Sequence, residues 1–410
     1  MYQARSQRHF LLPLLTVAYM LLLAYASLFP LSGWQIPVYE NWLDAYEVRN
    51  RYITRTDLTT NFLVYIPLGL LAYIWLRSHY HWKVAGIIVL LTSLALSFTL
   101  ESLQLFIPSR VPSFVDLVMN ILGAAVGIAI AHTFSEHTNL GQRFQFLRHR
   151  WIKPGHLANM GLVILGLWAI SELSPIIPSL EAAHIKKQLI PLSLVLEQPE
   201  LLKPKLFFIA VLQLSALLYL ATTVFKDSSR AIRSFFWFCV LIYLYKLTVV
   251  NRLLLPESIL AVPIAISLVH ITKNFSKQAI VFAIYFCIIV AYSLGQLGTL
   301  SSQAGYFREM NWIPFYSYIA SVRQFTEIAT TSWEFLLLAY AFIYLQARNS
   351  LLVMMLGLFG IAAFTLTLEV GQQYIVGAKP DITNVLLATL AWLLPWLHPL
   401  IRRRHSLNSL

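Results

Sequence analysis

The chain has 410 residues, of which 58% are hydrophobic and only 12% are charged. Soluble domains carry about 25% charged residues, so this composition excludes an ordinary soluble domain and indicates a membrane protein with many spans. The formal net charge of +12 is better explained by Lys and Arg in cytoplasmic loops than by nucleic-acid binding. Cys239 and Cys287 lie inside apolar runs, which argues against a disulfide framework and a cysteine-based metal site.

Twelve apolar stretches approach the length of about 20 residues that a membrane-spanning helix needs. No segment alternates polar and apolar residues as the strands of a membrane barrel do. The sequence therefore predicts an all-α, polytopic transmembrane helix bundle of about 12 spans. The predicted spans are 10–29, 61–77, 84–107, 114–132, 158–177, 206–225, 231–250, 253–271, 279–299, 331–347, 350–370 and 382–399.

The N-terminal stretch has two interpretations. Arg5 and Arg8 precede the apolar run 10–29, and the small residues of 24–27 resemble a cleavage site, so a removed signal peptide is one alternative. A retained first span is favoured because apolar sequence continues past that site. With twelve spans and a cytoplasmic N-terminus, Lys and Arg are more numerous on the cytoplasmic side, so both termini are predicted to be cytoplasmic.

Two segments of the chain resemble each other without gaps. Residues 100–127, LESLQLFIPSRVPSFVDLVMNILGAAVG, align with residues 368–395, LEVGQQYIVGAKPDITNVLLATLAWLLP. We call these the first copy and the second copy. The aligned pairs are Glu101 with Glu369, Gln104 with Gln372, Arg110 with Ala378, Pro112 with Pro380, Asp116 with Asn384 and Asn120 with Ala388. The first copy belongs to predicted spans one to four and the second to spans nine to twelve. Both sets start at an odd-numbered span, which predicts a parallel duplication in which the second copy is degenerate.

This pattern predicts four parts of the chain. Residues 1–135 form a first four-helix repeat, and 150–300 form a central helical block whose role the sequence does not indicate. Residues 301–400 form the second, degenerate repeat. Residues 401–410 form a basic tail, whose arginines are expected to contact anionic lipid headgroups.

The first copy places polar side chains beside strongly apolar sequence. Glu101 and Gln104 are three positions apart and share a helix face, and Asp116 and Asn120 are four apart and share another. The prolines between these pairs end one helix and let the next begin near Ser113. The sequence therefore predicts a tight helical hairpin with polar groups at its mouth.

Arg110 lies between the two pairs and can bind one carboxylate through two hydrogen bonds. Asn61, at the start of the second predicted span, could join the group. Charged side chains are costly in a bilayer, so they pair, face the protein interior or serve a site. Two interpretations follow: a polar clamp that locks the hairpin, and a binding or catalytic site that opens at the outer face. The second-copy counterparts are Glu369, Gln372 and Asn384.

These residues resemble the signature of the VanZ family of small bacterial membrane proteins. The resemblance rests on Glu-x-x-Gln at 101 and 104, Arg110, Asp116, Asn120 and Gly123. TNFLVYIPLG (60–69) resembles the family's Asn and Pro-Leu-Gly segment, and NWIPF (311–315) resembles the element that opens its unit. The resemblance covers roughly 30–132 and 308–397 and leaves 150–300 unexplained.

The resemblance implies a bacterial inner-membrane protein with a cell-envelope role. The founding member is linked to low-level teicoplanin resistance, and relatives occur in exopolysaccharide contexts. We favour a non-enzymatic function, in which the chain binds or presents an amphiphile or a lipid-linked envelope glycan precursor at the outer face. Arg110 would contact an anionic headgroup, and the neighbouring polar residues would orient hydroxyl groups.

Two alternatives stay open. In a membrane enzyme acting on a lipid or glycan headgroup, Glu101 would be a general base oriented by Asp116. In a transporter, polar groups would be needed near the membrane midplane, where the sequence offers few charges. The histidines are scattered and no metal or other cofactor is predicted. Membrane lipid is the expected partner, other envelope proteins could be partners as well, and nucleic acid is not expected.

Overall fold

The structure is a computed structural model that describes residues 2–28, 33–36, 55–107, 113–174, 182–249, 252–272, 274–298, 307–316, 324–345 and 350–407. Arg110 lies outside these residues. The described part of the chain contains fourteen α-helices, one short 3-10 turn at Pro199–Leu201 and no β-strand. The predicted all-α fold class is confirmed.

Twelve of the fourteen helices overlap the twelve predicted apolar stretches, with ends shifted by as much as two turns. In chain order, the helices are α1 (Tyr2–Leu28), α2 (Arg55–Arg77), α3 (Trp82–Gln104), α4 (Phe114–Thr133), α5 (Asn139–Trp151), α6 (His156–Leu173), α7 (Ala182–Glu197), α8 (Pro204–Val224), α9 (Ser228–Lys246), α10 (Pro256–Ile271), α11 (Lys277–Gln296), α12 (Gln324–Tyr344), α13 (Ser350–Gln372) and α14 (Ile382–Leu407).

Within the described residues, seven helices are long and apolar enough to cross a membrane: α2, α3, α4, α6, α8, α11 and α13. Shorter apolar helices run over Leu15–Leu28, Pro256–Ile271 and Ile382–Trp396. The count of about twelve spans therefore stays a prediction. Helices α5 and α7 lie outside the twelve predicted stretches, because neither has an apolar run long enough to stand out as a span.

The chain divides by its internal contacts into two compact units, residues 1–148 and 149–410. We call these the N-terminal unit and the C-terminal unit. The N-terminal unit contains α1 to α4 and most of α5. The predicted end of the first repeat at residue 135 stays a prediction. The central block and the second copy both fall in the C-terminal unit, and their separation into two domains stays a prediction.

In the N-terminal unit, α2 and α4 pack with their backbones in contact. A Cβ atom on Gly123 would lie 2.1 Å from the carbonyl oxygen of Phe62, and one on Gly127 would lie 2.2 Å from that of Ile66. Gly69 approaches the backbone of α4 just as closely. Glycine is needed where two helices approach to this distance. The sequence predicts close packing at the GxxxG pair 123 and 127, and the structure confirms it.

In the C-terminal unit, α8 is the most deeply buried of the membrane-crossing helices. It packs against α6, α9, α10 and α11, and α12 packs against α6, α11 and α14. Among the polar contacts between helices of this unit is an ion pair. Lys246 Nζ of α9 donates to Glu172 Oε2 of α6 at 2.6 Å.

Replacement of Gly123 by leucine should unfold the N-terminal unit at lower temperature. The new side chain would collide with backbone rather than with a movable side chain, so we expect a loss of about 3 kcal/mol. Thermal unfolding of the purified full chain measures it. Gly86→Ala is the matched control, because its Cβ would meet only Ile128 Cγ2 at 3.9 Å. Equal melting of Gly123→Leu and wild type would contradict the close approach of α2 and α4.

Replacement of Lys246 by methionine should destabilise the C-terminal unit by about 2 kcal/mol, because it leaves the Glu172 carboxylate without its cation. This value lies below that for a fully buried pair, since the Glu172 side chain is 24% exposed. The double variant Lys246→Met/Glu172→Leu should recover most of the loss in denaturant unfolding. If the double variant is no more stable than Lys246→Met, the pair contributes nothing through its charges.

Candidate functional site

The candidate residues of the first copy lie at one end of the N-terminal unit. Glu101 and Gln104 are in the last turn of α3, and Asp116 and Asn120 are in the first two turns of α4. Because successive helices run in opposite directions, the start of α2, which carries Asn61, belongs to the same end. The first four side chains are only 5% to 8% exposed.

Glu101 joins the end of α3 to the start of α4. Its Oε2 accepts a hydrogen bond from the backbone N–H of Ser113 at 2.9 Å. Ser113 is the N-cap of α4, and its own Oγ accepts from the N–H of Val115 at 3.2 Å. The N-terminal N–H groups of a helix have no partner within the helix and carry a partial positive charge, so a carboxylate is favourable there. The predicted start of the second helix near Ser113 is confirmed.

Gln104 and Asn120 bind neighbouring helices as well. Gln104 Nε2 donates to the carbonyl oxygen of Ser27 at 3.0 Å and to its Oγ at 2.9 Å, which attaches α3 to the end of α1. Asn120 Nδ2 donates to Ser97 Oγ at 2.9 Å, one helical turn deeper. The phenol of Tyr65 lies near Ser97 and Glu101. These are the interhelical bonds that the clamp interpretation predicts.

The two remaining candidates differ in what the structure shows. Asn61 is half-buried, and its side chain makes no hydrogen bond to any described residue. Arg110 belongs to 108–112, outside the described residues. The proposed meeting of Arg110 with the two carboxyl groups therefore stays a prediction.

The second copy repeats the main contacts of the first. Glu369 Oε2 accepts the backbone N–H of Asp381 at 2.8 Å, and Asp381 aligns with Ser113. Gln372 Nε2 donates to the side chain of Gln296 at the end of α11, as Gln104 binds the end of α1. Glutamate and glutamine thus have the same structural task in both copies. The duplication itself stays a prediction, which this agreement supports.

The copies differ at the second carboxylate oxygen of the glutamate. In the second copy, Asn384 Nδ2 donates to Glu369 Oε1 at 2.8 Å. The aligned residue of the first copy is Asp116, at the same position of its helix. From this shared register we infer that the Asp116 carboxyl lies beside Glu101, where an ionised carboxylate offers acceptors and no donor. The first copy thus holds two buried carboxyl groups where the second holds a carboxylate and an amide.

The structure adds a polar network that the sequence analysis missed. Asn311 Nδ2 donates to Asp381 Oδ2 at 2.8 Å, and Asp381 Oδ1 accepts the N–H of Thr383 at 2.8 Å. Thr383 Oγ1 accepts the N–H of Phe315 at 2.8 Å, where Phe315 has a φ of 61°. NWIPF (311–315) is thereby attached to the start of α14. The aspartate directly before that helix could have indicated an N-cap.

A buried polar face of α3 was missed as well. Ser93 and Ser97 are four positions apart and continue the face of Glu101 into the helix. Ser93 Oγ and Asn120 Oδ1 are buried without a hydrogen-bond partner among the described residues. In an apolar helix, serine is hard to distinguish from a small packing residue by sequence. Among the described residues, no three His, Cys, Asp or Glu side chains come together in a way that could hold a metal ion.

Comparison with known proteins supports the resemblance for the first copy. A protein-family model described as VanZ/LLP1 matches residues 11–135, which include most of α1 and all of α2, α3 and α4. The match extends to the first helix and leaves the second copy outside. No curated protein and no solved structure matches the chain. The chain is therefore an all-α membrane protein that carries a VanZ-like unit at residues 11–135.

Proposed function

We propose that the VanZ-like unit binds an amphiphile or a lipid-linked envelope glycan precursor at the end where α3 meets α4. In the predicted topology, this end faces outward from the bacterial inner membrane. Glu101 and Asp116 would accept hydrogen bonds from hydroxyl groups of the headgroup. Arg110 would bind its phosphate or another anionic group.

The observation that carries this proposal is the difference between Asp116 and Asn384. In the second copy, the Asn384 amide donates a hydrogen bond to the glutamate. In the first copy, the aligned residue is a second carboxyl group that is only 6% exposed. Two adjacent carboxylates repel each other and are stabilised by donors such as sugar hydroxyls, an ammonium group or a guanidinium. A headgroup rich in hydroxyls supplies such donors.

The surroundings of the site suit an amphiphile. Phe106 follows the last turn of α3 and Phe114 begins α4, and both side chains are about two-fifths exposed. Apolar rings beside buried polar groups at helix ends match a ligand with a polar headgroup and a hydrocarbon chain. Binding is favoured over general-base catalysis, because one Glu101 oxygen already accepts the buried N–H of Ser113.

Asp116→Asn tests the proposal, since it gives the first copy the residue that the second copy has. We expect the variant to keep the wild-type melting temperature, because the new amide can donate to Glu101 as Asn384 donates to Glu369. It should lose the bound amphiphile. Native mass spectrometry of the full chain in native-lipid discs measures the co-purifying lipids, and Arg110→Ala should lose the same species.

Asn384→Asp is the matched control, and it should keep the lipid because it alters only the second copy. If all variants carry the wild-type lipids, the proposed binding site is wrong. If Asp116→Asn and Arg110→Ala also melt much lower than the wild type, the first copy is a polar clamp.

Glu101→Leu should destabilise the N-terminal unit by about 2 kcal/mol. The substitution leaves the buried N–H of Ser113 without an acceptor, and an unsatisfied buried donor costs more than an average hydrogen bond contributes. Chemical unfolding of the purified chain measures the change. Glu101→Gln keeps an acceptor oxygen and should lose clearly less stability. Equal losses in the two variants would show that the bond to Ser113 is not what stabilises this end.

A further inference from the structure

The C-terminal unit contains a carboxyl group in the middle of its helical core. Glu334 lies at the midpoint of α12 and Gln213 at the midpoint of α8, a helix long and apolar enough to cross a membrane. Gln213 Nε2 donates to Glu334 Oε1 at 2.7 Å. Glu334 is 2% exposed. Neither residue belongs to the VanZ-like unit or to the second copy.

Among the residues that the structure describes, no cation lies in contact with Glu334 to balance a carboxylate. The adjacent residues Trp333 and Phe335 are fully buried members of the apolar core. Within the described part of the chain, no lysine or arginine forms an ion pair with Glu334. Arg252 is bonded to Thr326, about two turns away along α12. A buried carboxyl group without a cation is stable only when it carries a proton, because an unpaired charge is strongly disfavoured in an apolar core.

Tyr292 of α11 packs edge-on against Phe335, the residue next to Glu334, with ring centroids 5.0 Å apart, and it interacts electrostatically with Glu334 and Glu369. Its hydroxyl is buried and lies next to the Gln296 side chain, outside ordinary hydrogen-bond geometry. A hydroxyl group can both donate and accept a hydrogen bond. Tyr292 therefore lies where it can pass a proton between the middle of the core and the end of α13, where Glu369 is located.

We propose that Glu334 is a proton-binding site that exchanges its proton with solvent through Tyr292. The carboxyl group is neutral while it is enclosed with Gln213, and it becomes a carboxylate when the proton leaves towards the Glu369 end. The reaction is a reversible proton transfer from the carboxyl oxygen to the Tyr292 hydroxyl and onward, with no other bond made or broken. The site is independent of the proposed amphiphile binding at residues 101–120.

The other titratable groups on α6, α8, α11 and α12 lie away from Glu334. None of their side chains has a described contact with it, and α14 contributes no titratable side chain over 382–396. These groups are His156 and Glu172 on α6, Lys205 and Tyr219 on α8, Lys277, Tyr285 and Cys287 on α11, and Glu327, Tyr340 and Tyr344 on α12 itself.

Infrared spectroscopy of the full chain in lipid discs tests the proposal, because a neutral carboxyl group has a C=O band distinct from the carboxylate bands. The wild-type spectrum minus that of Glu334→Gln should contain a neutral-carboxyl band that disappears as the pH is raised. The band should shift when H2O is replaced by D2O. In Glu334→Asp it should move rather than vanish, which separates loss of the group from loss of the fold.

Tyr292→Phe should slow the D2O-induced shift several-fold. Tyr340→Phe is the matched control, because the Tyr340 hydroxyl is bonded to Thr223 between α12 and α8, the helices that also carry Glu334 and Gln213. This variant should leave the exchange rate unchanged. A difference spectrum with only carboxylate bands at every pH would overturn the proposal. So would a neutral band that neither titrates nor exchanges, because Glu334 would then be a fixed structural hydrogen bond. An unchanged rate in Tyr292→Phe would overturn the route through Tyr292.

Discussion

In both copies of the Glu-x-x-Gln element, a buried glutamate accepts the first free backbone N–H of the helix that follows. The bond fixes where the second helix begins, because Glu101 holds Ser113 and Glu369 holds Asp381. A helix start buried near a membrane must find an acceptor for its N–H groups, and water is scarce there. A carboxylate from the preceding helix meets this need and gains from the helix dipole. The remaining polar contacts are arranged around this junction.

The same junction explains why the motif is compatible with both a clamp and a binding site. One oxygen of the glutamate is occupied by the backbone in each copy, which is a structural task. The copies diverge at the residue that aligns beside the second oxygen, which is Asp116 in the first copy and Asn384, a donor to Glu369 Oε1, in the second. A protein can thus keep the scaffold in both copies and alter the chemistry of one. Our proposal of amphiphile binding depends on this single difference.

The two buried carboxyl systems obey one rule. At helix ends, Glu101 and Glu369 are stabilised by backbone N–H groups of the next helix. At mid-helix the backbone N–H groups are already bonded within their own helix, so the donor to Glu334 among the described residues is the side-chain amide of Gln213. The first situation favours a carboxylate and the second favours a neutral acid. The glutamates at helix ends, Glu101 and Glu369, therefore suit a structural role, and the mid-helix Glu334 suits the proposed proton binding.

The sequence by itself determined the all-α class, the approximate positions of twelve helices, the start of α4 near Ser113 and the close packing at Gly123 and Gly127. These follow from local features: apolar length, proline positions and residue spacing. Which helices meet follows only from the tertiary structure. It shows that Gln213 contacts Glu334 and that Gln104 contacts Ser27. Such partners are far apart in the chain, and nothing in the spacing of residues identifies a contact between distant helices.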